Sequence, residues 1–226
     1  MTKKNLIVLD IDDTLTKSEI QHQTAFVDAL KYFGITKINQ DWKTYQNVTD
    51  NYIFKVIFER NFQKPFQLSM VPDFEKKMTN NLRSLQATEA IPGVNEVLEF
   101  FLKKTNYAIC VATGCLLEPA ILKLQQAGIH FIPDLLEASN KLFTREEIVK
   151  SAIKKAKNYF DVENFEQIIS VGDGIWDLRT AKNLGIHFLG IRDKNLELFL
   201  QEGIKSHITD WKAFNFEKVK KELAIQ

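Results

Sequence analysis

Apolar residues fall along the chain in short runs that each end in a polar cluster. Asn5 to Leu9 leads into Asp10, Tyr107 to Ala112 into Thr113-Gly114, Gln167 to Val171 into Gly172-Asp173-Gly174, and His187 to Ile191 into Arg192-Asp193. Unbroken apolar runs of this length are the pattern of strands buried on both faces. A weaker run at His207 to Thr209 predicts an edge strand. Between the runs the period becomes helical. Val94, Val97, Leu98, Phe101 and Leu102 form one stripe after Pro92-Gly93, and Leu117, Ile121 and Leu124 form another that Gly128 stops. Thr144-Arg145-Glu146-Glu147 has the form of a capping box and predicts a helix from about Arg145 toward Asn158, burying Ile148, Ala152 and Ile153. Strands alternating with helices predict an α/β fold: a parallel sheet with helices on both faces and a site at the carboxyl ends of its strands.

The stretch from Lys17 to Ala90 interrupts this alternation and is too long for an unstructured loop. Three apolar stripes predict three helices in it: Phe26, Leu30 and Phe33; Ile53, Phe54, Val56, Ile57 and Phe58; and Phe74, Met78, Leu82 and Leu85. The expected organisation is a core of residues 1–16 and 90–226, split after its first strand, with an inserted helical unit of residues 17–89 over the sheet's carboxyl edge. Of the 226 residues, the core would take about 150 and the insertion about 70.

Composition narrows the partners. The chain is 45% hydrophobic, and 30 Lys plus Arg against 29 Asp plus Glu leave a net charge of +1. That balance gives no overall grip on nucleic acid or an anionic membrane, so a small molecule is the expected partner, with neither nucleic acid nor membrane. Cys110 and Cys115 lack the number and spacing of a disulfide framework or zinc site, which fits a reducing compartment. Leu6 to Leu9 is too short an apolar run for a secretion signal or a membrane span. A cytoplasmic monomer or small homo-oligomer is expected. His22, His130, His187 and His207 are scattered and suggest neither a metal site nor a triad.

The candidate chemistry lies in the acidic clusters. Asp10-Ile11-Asp12-Asp13-Thr14 puts three carboxylates within four residues, an arrangement whose repulsion a cation relieves most economically. Hard oxygen ligands of this kind suit Mg²⁺. A calcium EF-hand loop is excluded, since Leu15 and Gln21 stand where Gly and Glu are required. Gly172-Asp173-Gly174-Ile175-Trp176-Asp177 supplies a second acidic cluster, and if the two strands are neighbours Asp173 and Asp177 face Asp10 and Asp12 in one metal site. A dinucleotide fingerprint fails here because Asp177 replaces its last Gly. Thr113-Gly114 offers a hydroxyl and a backbone N–H to an anion. Carboxylates, a hydroxyl and a cation together point to a phosphoryl group, whose charge the cation offsets.

Asp10-x-Asp12-x-Thr14, Thr113, a basic residue before the fourth strand and Gly172-Asp173-x-x-x-Asp177 together resemble the four motifs of the haloacid dehalogenase superfamily. The inserted helices are similar to the cap of its phosphoglycolate-phosphatase-like and β-phosphoglucomutase-like branch. The resemblance implies a Rossmann-like core and a Mg²⁺-dependent phosphatase acting on a small phosphomonoester. Asp10 would be the nucleophile that forms an aspartyl-phosphate, and Asp12 the acid and base, holding a proton while Asp10 stays ionised. Asp10, Asp173 and the Asp12 backbone carbonyl would hold Mg²⁺, with Asp177 as a further ligand or partner, and Thr113 and Gly114 would bind phosphoryl oxygens.

For the basic residue the sequence offers Lys141, Arg145 and Lys150. The capping box places Lys141 in the loop before the helix, Arg145 at its first position and Lys150 a turn inside, which favours Lys141 with Arg145 second. Leu142 departs from the family's usual Pro after this lysine. A phosphomutase of the same branch and a non-catalytic binding protein on the same fold are the alternatives. Dehalogenation is disfavoured by Asp12, which supplies an acid for an oxygen leaving group.

Overall fold

The computed structural model describes residues 2–225. Its strands are β1 (Asn5–Leu9), β2 (Thr16–Lys17), β3 (Glu89–Ala90), β4 (Tyr107–Ala112), β5 (Leu136–Glu137), β6 (Ile168–Gly172), β7 (His187–Ile191) and β8 (His207–Ile208). Its α-helices are α1 (Glu19–Tyr32), α2 (Asp50–Phe62), α3 (Val71–Ser84), α4 (Val94–Lys104), α5 (Leu117–Gln126), α6 (Arg145–Phe160), α7 (Ile175–Leu184), α8 (Leu196–Gln201) and α9 (Phe216–Glu222). Six strands pair in parallel in the order β5-β4-β1-β6-β7-β8, so the first strand of the chain lies inside the sheet between β4 and β6.

Alternate residues of these strands feed two cores. Ile7, Leu9, Val111, Ile169, Val171 and Leu189 bury one face, and Leu6, Val8, Ala108 and Cys110 pack on Ile148, Ala152 and Ala156 of α6 on the other. Burial on both sides is why the strands read as unbroken apolar runs. The capping box forms as read: Thr144 Oγ1 accepts from the Glu147 N–H at 3.1 Å, and Glu147 Oε2 accepts from the Thr144 N–H at 3.0 Å.

Between β2 and β3 the chain folds into α1, α2 and α3 around a separate core that includes Phe26, Leu30, Phe54, Phe74, Met78 and Leu82. Phe54 and Phe74 stack with centroids 4.0 Å apart. β2 and β3 pair antiparallel, Thr16 opposite Ala90 and Lys17 opposite Glu89, so the two connections to this helical unit run side by side. The unit is tied to the sheet edge. Leu116 enters its core, the Asp50 N–H donates to the Gly114 carbonyl at 2.8 Å, and Asp50 Oδ2 accepts from the Leu116 N–H at 3.0 Å. Glu75 accepts from the Glu118 N–H and from Asn140 Nδ2. No helix among the described residues is long and apolar enough to cross a membrane.

Candidate active site

Register builds the site. Leu9 pairs with Val111 on one side and Val171 on the other, so Asp10, Ala112 and Gly172 come to the same level of three adjacent strands. The Asp10 N–H donates to the Val171 carbonyl at 3.1 Å, which fixes where its side chain starts. Beyond it the chain turns sharply. Asp13 adopts a left-handed φ of 53°, a conformation Asp tolerates better than most residues, and its N–H donates to the Thr16 carbonyl at 2.7 Å.

The residue that reaches Asp10 from α6 is Arg145. Its Nη1 lies 2.9 Å from Asp10 Oδ1 and 3.4 Å from Asp177 Oδ1, and its Nε donates to the Val48 carbonyl at 3.0 Å. Lys141, favoured by sequence, is exposed at the end of a short 3₁₀ turn and does not line the chamber; Lys150 is exposed on α6. The correction follows from direction. The amino end of α6 points at the strand ends, so its first residue, and not the loop before it, projects inward. Gly114 makes room for this: a Cβ there would stand 2.8 Å from the Arg145 guanidinium.

The structure brings Asp10, Asp173 and Asp177 together, with one carboxylate oxygen of each within 4.8 Å of the others. Asp177 Oδ2 accepts from the Gly174 N–H at 3.1 Å. Gly174 itself lies under the Trp176 indole, which a Cβ would meet at 2.2 Å. Asp173 Oδ2 sits 2.7 Å from Lys194 Nζ as an ion pair but accepts no hydrogen bond of ordinary alignment although it is buried. Lys194 also reaches Asp13 and Glu19, at 3.2 and 2.6 Å.

Arg145 and Lys194 offset the charge of these three buried carboxylates only in part. Burial raises Asp173 to about 7, with Asp10 adding to the effect and Lys194 opposing it. Burial also raises Asp177, reinforced by Asp10 against Arg145, and raises Asp10, with the charge of Asp12 adding and Arg145 opposing. A cluster of three buried carboxylates whose oxygens converge within 4.8 Å is a set of hard oxygens that fits a divalent cation such as Mg²⁺. Asp10, Asp173 and Asp177 are the side chains close enough to share it.

Asp12 does not join this cluster. Both its oxygens lie 2.6 Å from Lys123 Nζ, and Oδ1 accepts from Ser18 Oγ at 2.5 Å. Burial alone would raise Asp12, but Lys123, then His22, outweigh it and hold the carboxyl below its usual range. Burial pushes Asp10 up while Lys123 pulls Asp12 down against its own burial, a direction opposite to the one that an acid at Asp12 beside an ionised Asp10 calls for. His22 bonds Asp50 through Nε2 at 2.9 Å, and Asp50 raises it well above its ordinary value in spite of burial. Cys115 is buried beside His22.

Thr113 is buried at the end of β4, where its Oγ1 accepts from the Cys115 N–H at 3.2 Å. With Arg145 lying across Gly114, neither Thr113 nor Gly114 lines the chamber. Lys123, Lys194, His22 and Asp50 are the site residues that sequence reasoning missed. Lys123 alone left a signal: it stands seven residues after Leu116 and three after Ala120, on the face α5 buries, where an apolar residue is the norm.

The chain is thus a parallel α/β sheet with an acidic cluster at its central strand ends and an inserted helical unit beside them. The chain belongs to the haloacid dehalogenase-like hydrolase family, whose sequence model matches residues 7–191. Among curated proteins none matches it in sequence. Solved structures share the fold at low identity. A haloacid dehalogenase hydrolase of family IA, variant 3, from Entamoeba histolytica superposes with a TM-score of 0.72 at 17% identity, covering 97% of this chain and 99% of that one. β-Phosphoglucomutase from Clostridium difficile gives 0.71 at 15%, covering 99% and 98%. CbbY from Rhodobacter sphaeroides, solved with phosphate, gives 0.68 at 18%, covering 93% and 95%.

Proposed function

We propose that this enzyme hydrolyses a small phosphomonoester, with Asp10 attacking phosphorus to form an aspartyl-phosphate that water then cleaves. The observation that carries this reading is the placement of Asp10. It ends a strand inside the sheet at the floor of a chamber, with Arg145 on one oxygen and Asp173 and Asp177 beside it. Bound Mg²⁺, held by Asp10 and Asp173 with the Asp12 carbonyl, would offset the repulsion between a phosphoryl group and the carboxylate that attacks it.

Arg145 orients Asp10 and adds positive charge where phosphoryl oxygens would sit. Asp12 takes the proton of the water that cleaves the intermediate and returns it to the next leaving oxygen, a role that requires its contact with Lys123 to loosen when substrate binds. Thr113 and Gly114 come into play if the substrate phosphate displaces Arg145 from its present position over Gly114. The helical unit of residues 17–89 acts as the cap that excludes bulk water and contacts the leaving group.

Turnover of p-nitrophenyl phosphate and of a broad phosphometabolite panel with Mg²⁺ tests this, with Asp10→Asn as the silent control. No turnover on any member, together with no effect of Asp10→Asn, removes the proposal. Net release of phosphate separates a hydrolase from a mutase, which would need a bisphosphate activator and release none.

A further inference from the structure

On the phosphatase reading, the chamber above Asp10 is where the leaving group would sit, and its wall has a definite charge and shape. From the helical unit it takes Phe26, Trp42 and Ile53 as its apolar part, and Glu19, His22, Gln23 and Asp50 among its polar part. Phe26 and Trp42 meet edge to face with centroids 5.9 Å apart. Trp176, on the core side, adds a second indole. Among the described residues the helical unit contributes no Lys or Arg to this wall.

The cations that do reach it are already engaged. Arg145 is paired with Asp10 and Asp177, Lys194 with Asp173, Asp13 and Glu19, and His22 with Asp50. Lys43 and Arg179 line an adjoining groove that shares only Val48, Arg145 and Trp176 with the chamber. A leaving group with its own phosphate or carboxylate would therefore find no uncommitted cation on this wall to receive it. We infer that the substrate is a monophosphate whose leaving group is uncharged and presents an apolar or aromatic face, seated on Trp42, Phe26 and Ile53. This rests on the phosphatase reading and names the substrate class for that site.

The test is steady-state kinetics of the full-length enzyme with Mg²⁺ on phenyl phosphate, 4-carboxyphenyl phosphate and acetyl phosphate. The first two differ by one charge, and the third reports phosphoryl transfer with almost no leaving group to seat. The expected kcat/KM for phenyl phosphate exceeds that for 4-carboxyphenyl phosphate by about tenfold or more, mainly through KM. Gln23→Arg supplies a cation and should shrink that ratio about fivefold. Trp42→Ala should lower kcat/KM for phenyl phosphate about tenfold more than for acetyl phosphate, and Trp42→Phe should restore most of it. Equal or better use of 4-carboxyphenyl phosphate overturns the inference, as does a Trp42→Ala loss of equal size on both substrates. Turnover of acetyl phosphate with poor use of phenyl phosphate overturns it while leaving the phosphatase reading intact. No turnover of any of the three overturns both.

Discussion

Both oxygens of the Asp12 carboxylate lie 2.6 Å from Nζ of Lys123, a lysine with no exposed surface on a helix of the core. The pair favours the anionic form of Asp12, two positions beyond Asp10, the proposed nucleophile. Removing only the lysine leaves that anion with little compensation, so Lys123→Met should destabilise the fold by about 3 kcal/mol. Adding Asp12→Asn removes the stranded charge and should recover most of the loss, which urea unfolding of the single and double variants would resolve. Equal stability of Lys123→Met and the parent protein would contradict the pairing.

The same pair fixes an acid dependence. Asp12 is held below its ordinary value of 3.8, so its contribution to stability is complete above about pH 5 and disappears as pH falls through the lowered folded value. Unfolding of the parent should steepen below pH 4 relative to Lys123→Met/Asp12→Asn, as thermal melts across pH 3 to 6 would show.

Asp173 titrates in the opposite sense. Its folded value is raised to about 7 from 3.8, so ionising it costs stability progressively as pH rises from about 4 to 7, and none of that cost applies below the unfolded value. A divalent cation on Asp10 and Asp173 relieves the cost only where the carboxylates are charged. Mg²⁺ should therefore raise the melting temperature more at pH 8 than at pH 5, and Asp173→Asn should abolish the difference. A shift independent of pH would count against this site.

Arg145 and Lys141 separate two readings of the same segment. Arg145→Ala should lower kcat by about 10²-fold or more, the scale for losing one charged group aimed at developing charge, whereas Lys141→Ala should leave it within about twofold. The reverse result would restore the sequence-based choice.

Gly114 offers a subtler test. Its missing Cβ faces the movable end of Arg145, so Gly114→Ala should cost little stability yet displace the guanidinium from Asp10. Activity should fall about tenfold or more while the melting temperature changes by a few degrees at most.

Much of this architecture was legible because β1, β4, β6 and β7 are buried on both faces and their polar ends stand out in the sequence. The acidic residues at those ends followed directly once the strands were taken as neighbours. β2, β3 and β5 escaped notice because two residues carry no periodicity. The capping box located the start of α6 correctly, but which basic residue meets Asp10 depends on where the helix end points, which is a tertiary fact. Lys194 and Lys123 reach the acidic loop from about 180 and 110 residues away, beyond any local pattern. The Lys123 partner of Asp12 went unread for the same reason, since it lies on α5.

The central claim is that Asp10 carries the phosphoryl group during turnover. Rapid quenching of the enzyme with Mg²⁺ and acetyl phosphate, borohydride reduction and peptide mass spectrometry tests it most directly. An aspartyl-phosphate at Asp10 would be reduced there to homoserine, and the product should appear at that position in the parent protein and be absent from Asp10→Asn. Sustained phosphate release with no homoserine at position 10, or release undiminished in Asp10→Asn, would contradict the account.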